Sequence, residues 1–189
     1  MINTAIQFIT SFLNNEIQLA HGVDGNMVVA GSIMNTDGSV SAGFDNKMVL
    51  TLINLEQEKA MKNTGDLSIV GRGFGKVAPP IYLNMYLLVS ANFVSTNYME
   101  ALKMLSTVIG AFQVNSFFSN QTHPDLDSKL GKLTFEIVNL STSELSHVWS
   151  GMGAKYLPSV LYKVRMITFN AEQIVKEVPE VSGVGSDMN

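Results

Sequence analysis

The sequence predicts an α+β domain, with one mixed, mostly antiparallel sheet and helices packed on one face. Three observations carry that expectation. The chain alternates irregularly, in the order helix, strand, strand, long loop, strand, helix, strand, helix, strand. Residues 81–92, IYLNMYLLVSAN, put apolar side chains on both faces of a period-two strand. Residues 97–113, NYMEALKMLSTVIGAFQ, repeat their apolar side chains at i, i+3, i+4 and i+7.

The first helix is expected over residues 4–17. Thr4 and Gln7 have capping-box spacing, and Ile2, Ala5, Ile6, Ile9, Phe12, Leu13 and Ile17 form its apolar stripe. Residues 27–33 and 47–55 are rich in β-branched side chains and read as strands. Asp37-Gly38 and Gly43 lie between them, so the two strands are expected to form a hairpin with an exposed tip.

Residues 56–80 look irregular, and a connection that long usually carries a function or floats. Residues 81–92 then form a central strand. In the helix that follows, Asn97 and Glu100 are placed to cap, and Tyr98, Ala101, Leu102, Leu105, Val108, Ile109 and Phe112 face the core. Phe117 and Phe118 fall in a loop reaching His123-Pro124.

Residues 132–140 are a strand with Leu133, Phe135 and Ile137 inward. Ser141 and Glu144 form a capping box, Leu140 is placed to staple Leu145, and Gly151 and Gly153 supply the stop. Residues 159–169 close the fold, with Val160, Tyr162, Val164 and Met166 on one face. Lys163 and Arg165 lie on the other face, between Leu161 and Ile167. Residues 1–169 therefore read as one domain. Residues 170–189, with Glu172, Glu177, Glu180 and Asp187 against Lys176, read as an acidic tail or an arm that docks on a neighbour.

Composition narrows the function. Only 15% of the 189 residues are charged, against about 25% in ordinary proteins, which hints at surface hidden against partners. The net charge of −4 and the absence of any basic run argue against nucleic-acid binding. There is no cysteine, so disulfides and thiolate chemistry are excluded. The N-terminus lacks a basic segment ahead of its apolar residues, and no apolar run reaches the roughly 18 residues of a membrane span. The expectation is a cytoplasmic protein without an anchor.

Catalytic signals are weak. His21, His123 and His147 have no second histidine at ligand spacing, so no metal is expected. WSGMG at 149–153 is not a nucleophile elbow, because Trp149 stands at the first glycine position. Asp125 and Asp127 share a loop and read as a solvated turn. No catalytic set or cofactor site emerges, and an enzyme is not expected. GRGFGK at 71–76 fails the P-loop pattern: Gly71 and Gly75 enclose three residues, Val77 replaces the hydroxyl residue, and Pro79-Pro80 forbid an immediate helix. An anion held on the backbone N–H groups of 71–76 is the alternative reading of that segment.

Three stretches together resemble a known family. They are PPIYLNMYLLVSANF (79–93), NYMEALKMLSTVIGAFQ (97–113) and LTFEIVNLSTSELSHVWSGMGAKYLPSVLYKVRMITF (133–169). The constellation is Leu145, Trp149, Gly153, Tyr156, Pro158, Ser159, Tyr162, Val164 and Arg165. It resembles the N-terminal domain of tail-terminator, or cap, proteins of contractile injection systems of the antifeeding-prophage type, over about residues 1–169. The resemblance implies a tail-terminator-like fold and a structural role. It implies a homo-oligomeric ring of six subunits that ends the inner tube and joins the last sheath ring, inside an assembled particle. Some relatives carry an additional C-terminal region, whereas the last expected strand here ends at 169 of 189 residues.

Within such a ring, Trp149, Tyr156 and Tyr162 are suited either to anchoring an interface or to filling the core. Lys163 and Arg165 are placed to pair with Glu136 across the sheet or to meet an acidic neighbour. The 56–79 loop, with Arg72, Phe74 and Lys76, is the expected tube contact.

Overall fold

The structure, a computed structural model, describes residues 1–58, 67–70, 73–77, 81–169 and 174–178. In chain order the elements are α1 (Ile2–His21), β1 (Val28–Ala30), β2 (Lys47–Gln57), β3 (Leu67–Val70), β4 (Gly73–Val77) and β5 (Ile81–Asn92). There follow α2 (Tyr98–Val114), β6 (Phe117–Ser119), β7 (Lys132–Ile137), α3 (Thr142–Gly151), β8 (Ser159–Phe169) and β9 (Ile174–Val178). Six strands form the main sheet in the order β1-β2-β5-β8-β7-β6, and β3-β4-β9 form a second, small sheet. The class is α+β, as expected. Among the described strands every pairing is antiparallel except β1 with β2.

That parallel pair corrects the expected 27–55 hairpin. Val28 stands opposite Met48 and Ala30 opposite Leu50, so both strands run the same way. Residues 31–46 must therefore travel back along the sheet before β2 begins. They do so over one sheet face, with Ile33 buried there. The Phe44 ring packs so closely on Gly31 that an added Cβ would lie 2.6 Å from it. Asp37-Gly38 does form a turn, as expected, but inside this excursion: the Asp37 carboxylate accepts from Ser39 N–H at 2.9 Å and from its hydroxyl at 2.6 Å. Those two bonds hold the Asp37 carboxyl below the usual carboxylate range.

The first helix is longer than the 4–17 expected, and no Thr4 cap forms. Ala5 N–H already bonds the Met1 carbonyl at 2.9 Å, so the helix starts ahead of Thr4. It ends where Gly22 takes a left-handed φ of 62°. The Asn14 side chain, buried on α1, bonds both backbone groups of Val28. Its Nδ2 donates to the Val28 carbonyl at 2.9 Å, and its Oδ1 accepts from the Val28 N–H at 2.8 Å. This satisfies both backbone groups of Val28 in β1.

Alternation along the strands divides the core in two. Met48 and Leu50 of β2, Met85, Leu87 and Val89 of β5, and Tyr162 and Val164 of β8 face α1 and α2. Val49, Leu88 and Leu161 face the other way, against Ile33 and Trp149 of α3. The helices thus lie on both faces, not on one as expected. The reason is local: α3 begins directly after β7 at the Ser141–Glu144 capping box, which is present in both directions, and swings its buried Trp149 over the opposite face. Leu140 and Leu145 pack on the same cluster, in agreement with a staple.

Helix α2 carries its stripe on Ala101, Met104, Val108, Ala111 and Phe112. Tyr98, expected inward, is 51% exposed, and Leu102, Leu105 and Ile109 are half-buried. Asn97 does not cap by its side chain; its amide instead donates to Asn46 at 3.3 Å, after a short 3₁₀ turn. Phe117 and Phe118 are not in a loop. They form the edge strand β6, because Phe118 is needed in an aromatic cluster: its ring lies 5.3 Å from Phe8, 4.8 Å from Phe12 and 5.3 Å from Phe135. Strand β7 ends at Ile137, three residues short of the expected 140.

The expected irregular stretch 56–80 is corrected over 56–57, 67–70 and 73–77, while 59–66, 71–72 and 78–80 lie outside the described residues. β2 runs on to Gln57, and β3 and β4 pair antiparallel with Leu67 opposite Lys76. Within 170–189, β9 pairs with β4, with Phe74 opposite Val178, so this part of the expected tail is strand. Strands of four or five residues are too short to declare a period, which hides them from a pattern reading.

Candidate interaction surfaces

Among the described residues no group of three His, Cys, Asp or Glu stands where it could hold a metal ion. No helix among them is long and apolar enough to cross a membrane. The histidines are occupied singly. His21 Nε2 meets Thr107 Oγ1 at 2.8 Å, and His123 packs on the rings of Phe118, Phe8 and Phe12. His147 is exposed on α3, at the rim of an open cleft of about 550 Å³ with Ile53, Val148 and Met152 in its lining. Asp127 accepts from Lys129 N–H at 2.9 Å and caps a 3₁₀ turn.

The five expected interface residues of the 145–169 stretch separate by depth. Trp149 is 3% exposed and Tyr162 2% exposed, so both sit in the core of this chain. Tyr156 is 62% exposed, and its ring meets Trp149 edge to face. Tyr162 carries a buried hydroxyl with no hydrogen-bond partner among the described residues, and burial pushes its pKa up to about 12. Gly153, with a left-handed φ of 65°, turns the chain from α3 toward β8 and so sets Tyr156 over Trp149.

Lys163 and Arg165 share the face of Leu161, the α3 side of the sheet. There the register brings Asn54, Tyr86, Lys163 and Glu136 into one cross-strand row. Glu56 accepts from the Tyr86 hydroxyl at 2.7 Å, and Lys163 Nζ lies 3.4 Å from the same carboxylate. The Lys163 ammonium also stands 5.5 Å from the Tyr86 ring centroid. The Tyr86 hydroxyl, and after it Glu56, hold the Lys163 pKa above the usual lysine range. Arg165 Nε lies 3.2 Å from Glu136, as the sequence spacing anticipated, although the pair is ionic and not aligned as a hydrogen bond. Sequence reasoning missed Glu56 and Tyr86, because their meeting depends on the β2–β5 register shift between Leu52 and Asn54.

Gly71 and Arg72 lie outside the described residues. Phe74 and Lys76 are in β4, the middle strand of the small sheet. Its neighbours on both sides, β3 and β9, engage the backbone of residues 73–77 in ladders. An anion cradle needs N–H groups converging on one point, which a doubly paired strand does not offer.

Residues 4–183 match the family described as the Pvc16 N-terminal domain. No curated protein matches the chain by sequence. Two solved structures share the fold. The anti-feeding prophage cap, a tube-terminating cap, superposes with a TM-score of 0.59 at 10% identity over 95% of this chain. The sheath/tube terminator of an extracellular contractile injection system, PVC, in its extended state, superposes with a TM-score of 0.54 at 12% identity over 95% of this chain. The present chain spans 60% and 62% of the lengths of those two chains.

Proposed function

We propose that this chain, which belongs to the Pvc16 N-terminal domain family, is a structural tail terminator of a contractile injection system. The observation that carries the reading is the family match over residues 4–183, and the fold shared with two terminator caps supports it. Copies of the chain form a ring, of six subunits in this reading, that ends the inner tube and ties it to the last sheath ring. Assembly takes place in the cytoplasm, before the ring becomes part of the particle. A cyclic ring needs one face of each copy to meet a different face of the next. Tyr156 and the Lys163–Arg165 row are the proposed contacts on the α3 side. Phe74 and Lys76, on the β3–β4 hairpin, and Arg72 are proposed to meet the tube, with residues 170–189 as an arm.

The role asks for adhesive surfaces and no reaction centre, which suits a chain that is only 15% charged. Electron microscopy of particles made without this gene tests the reading. Tubes of uncontrolled length, or sheaths that come off, are the expected result. Particles of normal length with a complete cap would refute it.

A further inference from the structure

The outward face of the α1–α2 layer is nearly free of charge. Among the 20 residues of α1 only Glu16 is acidic and none is Lys or Arg. Its exposed stripe reads Asn3, Gln7, Ser11, Asn15 and Leu19, at intervals of four. On α2 the two charges, Glu100 and Lys103, neutralise each other at 3.4 Å. Solvent-facing helices ordinarily carry charge on their outer side, and loss of Lys, Glu and Asp is the compositional mark of an interface core. The most exposed large apolar side chains of the described residues lie on these same helices: Leu19 at 83%, Val114 at 83% and Met99 at 69%.

Gly110 adds an independent sign. It sits inside α2, where glycine weakens a helix, and a Cβ there would meet no described residue within 4 Å. Packing among the described residues therefore does not require it. A bare position on an outward helix face lets another backbone come close.

We infer that this face is where a neighbouring copy of the same chain docks, an inference that rests on the ring reading above. Amide and hydroxyl side chains both donate and accept, so the face needs no charged partner. The chain itself, 15% charged, offers surfaces of that kind. The size also fits. Twenty helical residues extend about 30 Å, and two helices side by side span roughly 20 Å, or about 600 Å² in projection. A stable contact takes about 800 Å² of accessible surface from each partner, and a corrugated helix layer exceeds its projection.

Thiol labelling of the purified full chain tests this, because the sequence has no cysteine and each introduced one is the sole thiol. In the oligomer, Ser11→Cys is expected to react with a maleimide roughly tenfold more slowly than Thr36→Cys on the exposed excursion. Ser11→Arg is expected to weaken self-association roughly tenfold or more, the effect of one uncompensated charge in a contact. Gly110→Ala is the sharper variant. It is expected to raise Tm by about 2–4 °C through helix propensity while weakening association. An oligomer that tolerates Ser11→Arg and Gly110→Ala and labels freely at Ser11→Cys overturns the inference and leaves the ring reading standing. A chain that stays monomeric both alone and in particles overturns both.

Discussion

The indole of Trp149 and the ring of Tyr156 meet edge to face with centroids 5.9 Å apart, one ring buried and the other open to solvent. The pair spans the boundary between core and surface. Trp149→Ala is expected to cost about 3–5 kcal/mol, as for other large buried aromatics. Tyr156→Ala is expected to cost about 0.5–1.5 kcal/mol, the worth of an aromatic pair. Denaturant unfolding measures both, with far-ultraviolet circular dichroism where the single tryptophan is removed.

Tyr162 holds a buried hydroxyl that bonds none of the described residues. Tyr162→Phe is therefore expected to be neutral or to stabilise by about 1 kcal/mol near pH 7. The pH dependence follows from its pKa, raised from about 10 to about 12 in the folded chain. The folded state binds this proton more tightly, so the contribution is whole below pH 10 and is lost as pH rises toward 12. Urea titrations across that window should show stability falling in the native chain, with less of a fall in Tyr162→Phe.

At the start of α3, Glu144 accepts at Oε2 from the Ser141 N–H at 2.8 Å and from its hydroxyl at 2.7 Å. The hydroxyl bond first, and then the backbone bond, hold the Glu144 pKa below the usual range. A depressed carboxyl stabilises above its unfolded pKa, and the benefit disappears as pH falls through the folded value. Glu144→Gln should flatten that acid-side decline in thermal unfolding. Ser141→Ala should cost about 1 kcal/mol at neutral pH, the usual worth of an N-cap.

Phe118 is fully buried although its strand has three residues. Phe118→Ala is expected to cost about 3–5 kcal/mol. Phe117→Ala, one residue away and 46% exposed beneath Lys132, is expected to cost below about 1 kcal/mol. Chemical denaturation of the two variants checks the contrast. Equal losses would contradict the inward–outward alternation of β6.

Replacing the β3–β4 hairpin by a short turn between Gln57 and Ile81 should leave the six-stranded sheet folded, because β2 and β5 pair without it. In the terminator reading the same change should abolish binding to tubes in a co-sedimentation assay. Unchanged binding would remove the hairpin from the contact.

What the sequence revealed followed from local rules. The central strand β5, the helix α2, the strand β8 and the Ser141–Glu144 cap each carry their own signal in apolar period or capping spacing. The parallel partner of β2 could not be read, because strand direction is decided by how 31–46 packs over the sheet. Nor could β6, whose three residues are too few to show a period. For the surfaces, the Arg165–Glu136 pair was legible from strand spacing, whereas Glu56 with Lys163 needed a register shift. Trp149 and Tyr162 illustrate a deeper ambiguity: large part-polar rings suit cores and contacts alike, and only their depth in the fold separates them.

The two hydrogen bonds from Asn14 to Val28 make one amide imitate an absent strand. An unpaired sheet margin is a template on which further chains can stack without limit, the route to aggregation and fibres. At Val28 that margin is already occupied by a side chain that offers nothing beyond itself. Asn14→Leu, nearly the same size, would leave the buried Val28 donor and acceptor together without partners. At that one residue the border of the sheet is closed by a side chain rather than by a further strand.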